Sequence, residues 1–254
     1  MVRKVWILLP AALSLFAAGI PLTAADTATP EGFTSLFNGK DLTGWKVPPG
    51  DNGHWKVIDG VIDCDARSES PLVDKSLWTE KSFGDFVLRV DWRLKTEPGY
   101  RWRVPVILPD GSQKKGPDGK DETVEIEDVD SGIYLRGSSK SQVNIWMWPI
   151  GSGEVYGYRT DRRMPPEVRA GVTPKKKADR PRGEWNTFEI TMKGDRLWVK
   201  LNGEEVIQNA QLPGVPKEGP IALQHHGSYN AKTRQWSGPP SLVQFRNIFI
   251  KELK

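Results

Sequence analysis

The residues best equipped for chemistry lie in one stretch, residues 130–148, which reads DSGIYLRGSSKSQVNIWMW. Aliphatic residues alternate there with aromatic and polar ones, the period of two that a β-strand imposes. Small and polar residues at 137–141 predict a loop with its turn centred near Ser139, and so a β-hairpin. One face then carries Ile133, Leu135, Val143, Ile145 and Met147, and the other carries Tyr134, Arg136, Gln142, Asn144, Trp146 and Trp148.

The second face of this predicted hairpin is suited to binding a sugar. In the predicted register Arg136 faces Gln142 and Tyr134 faces Asn144. Sugar rings stack on aromatic side chains, and their hydroxyls take planar hydrogen-bond donors and acceptors. A dry core suits this face poorly, because each buried polar group needs a partner. The alternative is an amphipathic hairpin whose tryptophans pack under a neighbouring loop.

Carboxylates flank the hairpin in sequence. Delivered to the edge of an aromatic surface, they are candidates for a general base or for metal ligands. A solvated strand edge that deters aggregation is the competing interpretation. Four of them precede the hairpin and one follows it: Glu125, Glu127, Asp128, Asp130 and Glu154.

Two of the three histidines end a predicted strand that begins at Gly219. Alternation places Gln224 and His226 on one face of that strand and His225 on the other. Functional groups commonly emerge from a β scaffold at strand ends, so His226 is a candidate for proton transfer. Imidazole is the side chain whose charge changes nearest neutral pH.

The elements that would position these residues are all strands. Residues 86–95 alternate without a break, which predicts one long strand of a large sheet. The last third of the chain contains further strands separated by tight turns such as Asn202-Gly203. Residues 96–123 and 159–183 are polar insertions, and no helical period occurs after the N-terminal segment. The sequence therefore predicts an all-β fold of two packed antiparallel sheets.

The N-terminus has the pattern of a secretory signal. Arg3 and Lys4 precede an apolar run, and small residues close it near Ala25. We expect residues 1–25 to be removed and residues 26–254 to form one domain that is exported, to the periplasm or the medium. No later run has the roughly 20 apolar residues that a membrane-spanning helix needs, so no membrane association is expected after cleavage.

Charge and cysteine content exclude some classes of partner and site. The formal net charge is +4 and falls to +2 without Arg3 and Lys4, which gives no argument for nucleic acid. The only cysteine, Cys64, permits neither an internal disulfide nor a cysteine-based metal site. No cofactor is indicated, and a divalent metal ion bound by carboxylates stays open.

Six motifs, in order, resemble the 3-keto-disaccharide hydrolase family, and together they cover essentially all of the mature chain. They are LFNGKDLTGW at 36–45, DSGIYLRG at 130–137, GEWN at 183–186, LNG at 201–203, GPIALQHHG at 219–227 and FRNI at 245–248. The resemblance implies a concanavalin A-like jelly roll, two curved antiparallel sheets with carbohydrate on the concave face. It also implies an exported bacterial protein that cleaves 3-keto-glycosides.

The chain departs from the family at one strand. Many members carry a Tyr-Glu-Val-Gln-Ile type of sequence there, whereas this chain has Gln142 and Asn144 at the glutamate and glutamine positions. The first change removes a carboxylate that could serve as a base or a ligand. The fold is compatible with this change, but catalysis by the family's own residues is in question.

The chemistry of a 3-keto sugar defines what a site must supply. The C3 ketone makes the C2 proton more acidic. Loss of that proton gives an enolate, which eliminates the oxygen substituent at C1, and water adds afterwards. Arg136 suits the C3 oxyanion, His226 suits proton transfer, and Glu127 is the third catalytic candidate, with Glu125 as its alternative. The expected substrate contacts are Tyr134, Asn144, Trp146, Trp148, Gln224 and Glu154. The rival hypothesis is a non-catalytic carbohydrate-binding, lectin-like module, which needs the aromatic face but no acid or base.

Overall fold

The structure is a computed structural model that describes residues 28–254, so the signal segment and the domain boundary at residue 26 lie outside it. Two short helices occur, α1 (Tyr156–Arg159) and α2 (Pro166–Gly171), and neither could cross a bilayer. The strands are β1 (Thr34–Ser35), β2 (Trp45–Lys46), β3 (Trp55–Ile58), β4 (Val61–Asp65), β5 (Leu77–Phe83), β6 (Phe86–Leu94), β7 (Tyr100–Pro105), β8 (Thr123–Asp128), β9 (Ser131–Leu135), β10 (Ser138–Ile145), β11 (Asn186–Lys193), β12 (Arg196–Leu201), β13 (Glu204–Gln211), β14 (Gly219–Leu223), β15 (Ser228–Asn230), β16 (Gln235–Ser237) and β17 (Leu242–Glu252).

Two antiparallel sheets pack face to face. The larger has eight strands in the order β13-β12-β11-β6-β17-β4-β3, with β1 also paired to β17. The smaller has the order β10-β9-β14-β5-β2. Two separate hairpins, β7-β8 and β15-β16, project from this body. The prediction of an all-β sandwich of two antiparallel sheets is confirmed.

Alternation along each strand explains why the sheets pack. In β6 the residues facing the other sheet are at most 4% exposed, whereas Arg89, Asp91 and Arg93 on the opposite face are partly exposed. Trp92 packs against Phe188 of β11, with ring centroids 5.4 Å apart. Burying an apolar side chain of this size contributes roughly 1.5–3 kcal/mol, so the inner faces dominate the stability. Cys64 lies in the same core, where burial raises the pKa of its thiol.

The polar insertions contain more structure than the sequence indicates. Residues 96–123 were expected to be a loop, but Tyr100–Pro105 pairs with Thr123–Asp128 to form the β7-β8 hairpin. Helix α1 lies just before the second insertion, and residues 159–183 include helix α2. Cross-strand pairs such as Trp102 with Ile126 form along both strands of β7-β8, so this segment is a regular antiparallel hairpin.

The predicted aliphatic face of the β9-β10 hairpin is correct, but its predicted turn is wrong. Ile133, Leu135, Val143 and Ile145 are fully buried. The turn is Arg136-Gly137, with φ angles of 51° and 71°, instead of a loop near Ser139. Positive φ at both central residues is the pattern of a type I′ hairpin turn. The ladder then shifts register within β10, so that Asn144 lies opposite Gly132.

The altered turn places Arg136 at one end of the sandwich. Its side chain is 1% exposed. Its Nε donates to Gly84 O at 2.8 Å, its Nη1 donates to Gly194 O at 2.6 Å and Pro216 O at 3.2 Å, and its Nη2 donates to Asp85 Oδ1 at 2.7 Å. The guanidinium therefore joins three loops, and the prediction that Arg136 faces Gln142 on the aromatic face is wrong.

We expect Arg136→Ala to lower the free energy of unfolding by about 3 kcal/mol, because it leaves three carbonyls and the Asp85 carboxylate without their donor. Arg136→Lys should recover part of this loss, since an ammonium cannot span the same set of acceptors. Urea denaturation midpoints measure both effects.

Arg101→Ala is the matched control, because the Arg101 side chain is 70% exposed and its ion pairs are at the surface. Its effect should stay within about 0.5 kcal/mol. Equal midpoints for the Arg136 and Arg101 variants would show that the buried guanidinium does not hold the loops together.

Candidate functional site

A row of amides crosses the outer face of the smaller sheet. Gln142 Nε2 on β10 donates to Gln224 Oε1, beyond the end of β14, at 2.6 Å and to Ser131 O at 3.2 Å. Gly132 makes this possible, because a Cβ there would lie 2.3 Å from Gln142 Nε2. Asn144 follows on β10, 4% exposed, and its Oδ1 has no partner among the described residues. The row offers amide groups for hydroxyls along one line.

The two tryptophans after β10 form a stacked pair. The rings of Trp146 and Trp148 are 4.4 Å apart with an interplanar angle of 8°. Trp146 Nε1 donates to Gly151 O at 2.7 Å, and Trp148 Nε1 donates to Asp128 Oδ2 at 3.0 Å. Trp102 of the β7-β8 hairpin donates to the same oxygen at 3.0 Å.

The hairpin covers most of this tryptophan pair. The two indoles are only 3% and 5% exposed, and they pack in a second apolar cluster with Val104 and Ile107. The prediction of a wide aromatic surface for stacking is therefore wrong. What remains accessible is the rim of the pair, which borders a cleft.

The cleft has a volume of about 190 Å³. Drug-sized ligand pockets begin at roughly 300 Å³, so this cleft suits one sugar ring more than a longer ligand. Five predicted site residues line it together: Asn144, Trp146, Trp148, Gln224 and His226. The remaining lining residues are Trp102, Asp130, Gln142, Tyr156 and Pro239.

The orientation of His226 is fixed by the main chain. Its Nδ1 lies 2.6 Å from Pro239 O, which can only accept, so Nδ1 carries a proton and donates. The backbone N–H of His226 donates to Ser241 Oγ at 2.7 Å. In the neutral ring Nε2 is then an unprotonated acceptor on the cleft side. This is the tautomer that a general base requires.

Asp130 is the acidic residue of the cleft. Its carboxylate has no hydrogen-bond partner among residues 28–254, while its backbone N–H donates to Pro240 O at 3.2 Å. Removal from water raises the pKa of Asp130 well above its usual value, and the neighbouring Asp128 charge raises it further. A carboxyl group with a raised pKa and free oxygen atoms is suited to general acid catalysis. The sequence placed Asp130 among the flanking carboxylates, but Glu127 was preferred.

Glu127 lies outside the cleft. Its Oε1 accepts from Arg182 Nη1 at 2.9 Å and from the Gly99 N–H at 3.2 Å. The Gly99 hydrogen bond, followed by Arg182, lowers the pKa of Glu127. Glu125 is exposed and lies 3.8 Å from Arg101. The structure therefore does not bring the predicted catalytic set Arg136, Glu127 and His226 together.

Glu154 is buried behind the cleft instead of lining it. It is 0% exposed and ion-paired with Arg159, which is 4% exposed. Burial raises the pKa of Glu154 to about 7, and Arg159 opposes the shift. The Asn144 N–H donates to Glu154 O at 2.9 Å, so this segment supports the amide row from its side. Direct substrate contact by Glu154 does not fit this placement.

Tyr134 also lies beside the cleft and not in its lining. It packs on Trp78 with ring centroids 5.5 Å apart and is 8% exposed. Burial raises the pKa of its hydroxyl to about 12, while contact with Gln224 opposes the shift.

Within residues 28–254, no group of three or more His, Cys, Asp or Glu side chains is arranged to hold a metal ion. The carboxylates considered for this role are separated by their ion pairs, Glu127 with Arg182 and Glu154 with Arg159.

Comparison with known proteins agrees with this architecture. Two structures of proteins from Parabacteroides distasonis, provisionally described as glycosyl hydrolases, share the fold. One is 22% identical, covers 88% of this chain and 85% of its own, and has a TM-score of 0.56. The other is also 22% identical, covers 88% and 95%, and has a TM-score of 0.50. No curated protein matches the chain. The model of the 3-keto-alpha-glucoside-1,2-lyase-like domain matches residues 32–251, and the chain therefore belongs to that family.

Proposed function

We propose that this protein is an exported enzyme that cleaves the glycosidic bond of 3-keto-glycosides by elimination followed by hydration. The observation that carries the proposal is the cleft itself, where the His226 ring, held through Nδ1 by Pro239 O, and the Asp130 carboxyl group, whose pKa is raised by burial, both line the wall beside the amide row. Family membership supports a carbohydrate substrate.

The two groups divide the proton transfers between them. His226 Nε2 takes the C2 proton, and the electron pair moves into the enolate conjugated with the C3 ketone. The C1–O bond breaks as the Asp130 carboxyl group gives its proton to the departing oxygen, which leaves a 1,2-unsaturated keto sugar. Water then adds at C1 and gives a proton to the Asp130 carboxylate, while His226 Nε2 returns its proton to C2, so both groups regain their starting states and the overall reaction is hydrolysis. Positioned proton transfer of this kind contributes typically 10²–10⁴-fold to a rate.

The remaining lining residues orient the sugar. Asn144, Gln142 and Gln224 offer amide groups to hydroxyls and to the C3 oxygen, and the rim of the tryptophan pair contacts one ring face. Asp130 thereby replaces Glu127 as the catalytic carboxyl group of the proposal. Arg136 is committed to three loops and takes no part in this scheme.

A non-catalytic carbohydrate-binding module is the second candidate, and one observation favours it. The family's glutamate position is Gln142 here, and its amide is bonded to Gln224, so that strand supplies no carboxylate. Saturable binding of 3-keto-trehalose and 3-keto-sucrose without any product would favour this module over the enzyme.

Asp130→Asn should lower the rate of 3-keto-glycoside cleavage by at least about 100-fold while leaving substrate affinity within about threefold, because the amide keeps the shape but loses the proton. Product release from 3-keto-trehalose and 3-keto-sucrose, followed by NMR, measures the rate. Glu127→Gln is the matched control outside the cleft and should retain activity. A fully active Asp130→Asn protein removes Asp130 from the mechanism.

His226→Gln should cause a loss of similar size, since glutamine can still donate to Pro239 O but cannot accept the C2 proton. His54→Gln is its control, because His54 bonds Asp65 outside the cleft at 2.9 Å. Hydrogen–deuterium exchange at substrate C2 in D₂O should disappear with His226→Gln. Its persistence would assign the base to another residue.

The scheme predicts that the rate falls at alkaline pH, where the Asp130 carboxyl group has lost the proton that it gives to the departing oxygen. Because burial raises the pKa of Asp130, this fall lies above the ordinary aspartate range. A rate that already falls as the pH rises through the ordinary aspartate range would contradict the assignment of Asp130.

Stability offers a readout that does not depend on activity. The pKa of Asp130 is higher in the folded protein than in the unfolded chain. Its contribution to the free energy of unfolding is therefore fully present below about pH 3.8, the unfolded pKa, and is lost as the pH rises through the folded pKa. Asp130→Asn should therefore change Tm little at pH 4 and raise it at pH 8. A gain of about 1 kcal/mol corresponds to roughly 2–4 °C in a protein of this size. A lower Tm at pH 8 would show that the charged form is not penalised.

Export is part of the same proposal. It rests on the signal pattern of residues 1–25. N-terminal sequencing of protein recovered from periplasmic and medium fractions should find a chain that begins close to residue 26.

A further inference from the structure

A second groove lies away from the cleft, on the outer face of the larger sheet. Its volume is about 670 Å³, and its floor includes Asp63, Asp65 and Gln244 of β4 and β17. The β15-β16 hairpin forms one side, with Tyr229 and Trp236 turned toward the groove. None of these residues belongs to the cleft.

The acidic residues of the groove floor already have partners. Asp65 accepts from His54 Nδ1 at 2.9 Å and from Lys56 Nζ at 3.2 Å. Asp63 accepts from Gln244 Nε2 at 2.7 Å and is 3.2 Å from Lys95 Nζ. Glu97, the third acidic residue that lines the groove, is 3.7 Å from the same Lys95 Nζ. The floor therefore adds little net charge to the groove.

Two guanidinium groups remain without a carboxylate. Arg67 and Arg234 line the groove, both are exposed, and neither has an ion-pair partner in the part of the chain that the structure describes. A planar guanidinium binds a carboxylate or sulfate through two parallel hydrogen bonds. These two unpaired positive charges therefore favour an anionic ligand.

An aromatic pair adjoins these arginines. Tyr229 and Trp236 are directly opposite in β15-β16, with ring centroids 4.8 Å apart at 55°, and both are partly exposed. Arg67 Cζ lies 4.3 Å from the Tyr229 ring centre and 5.8 Å from that of Trp236. Stacking over the rings holds the guanidinium in place and leaves its N–H edge for a ligand.

We propose that this groove is a second carbohydrate site that binds an acidic saccharide. A ring carboxylate or sulfate pairs with Arg67 and Arg234, and the sugar ring lies against Trp236. Nucleic acid is a poorer fit, since the chain's formal charge of +4 includes two residues of the signal segment. The site is separate from the cleft, so binding here does not depend on turnover there.

Calorimetric titration with trigalacturonate, maltotriose and sodium acetate tests the proposal on the mature protein. Trigalacturonate should bind, more weakly as the salt concentration rises, and the two other probes should bind at least tenfold more weakly. Arg67→Ala combined with Arg234→Ala should raise the Kd for trigalacturonate at least tenfold. Both side chains are exposed, so this variant is expected to fold.

Trp236→Ala should weaken binding to a similar extent. Arg101→Ala combined with Lys120→Ala is the matched charge control, because these cations are 70% and 85% exposed and do not line the groove. This control and Asp130→Asn, in the cleft, should leave the Kd within about twofold. Equal binding of maltotriose or acetate, a loss caused by Asp130→Asn, or no effect of the double arginine variant would each overturn the proposal.

Discussion

The cleft depends on one buried carboxylate, Asp128, at the end of β8. It is 0% exposed and accepts two indole N–H groups, from Trp102 and Trp148, together with the backbone N–H of Met147. These bonds tie the β7-β8 hairpin to the segment after β10 and thereby set the position of the tryptophan pair. Burial raises the pKa of Asp128, while its hydrogen bonds oppose that shift. Its charge also adds to the effect of burial in raising the pKa of Asp130, so one group acts on both the wall of the cleft and an acidic residue that lines it.

Much of the fold could be predicted because it follows from local alternation. The inward residues of β6, β9 and β10 were identified from the period of two, because every second residue of such a strand faces the core and is buried. The hairpin turn was missed because Arg136 has a φ of 51°, a conformation uncommon for residues other than glycine. Bonds to three distant loops and to Asp85 hold it there. Such distant partners leave no trace in the local pattern.

The residues that line the cleft were also predicted in part, because local alternation places several of them on one face. Alternation correctly put Asn144, Trp146 and Trp148 on one side, and the strand end correctly suggested His226 and Gln224 beside them. Alternation within single strands did not predict that the β7-β8 hairpin covers the tryptophan pair and places Glu127 outside the cleft. Asp130 was visible as the residue directly before β9, but its burial beside Pro240, whose carbonyl accepts from the Asp130 N–H, depends on a segment far along the chain.

The β15-β16 hairpin and the residues at its base contribute to both the cleft and the groove. Its base carries His226 and Pro239 at the cleft, its outer part carries Tyr229 and Trp236 at the groove, and Gly227 and Gly238 adopt positive φ where the two parts meet. Thermodynamic linkage requires reciprocity between sites joined in this way. A ligand that shifted the hairpin at one surface would change the affinity at the other by the same factor in return, so a hairpin that keeps its position leaves the two surfaces independent.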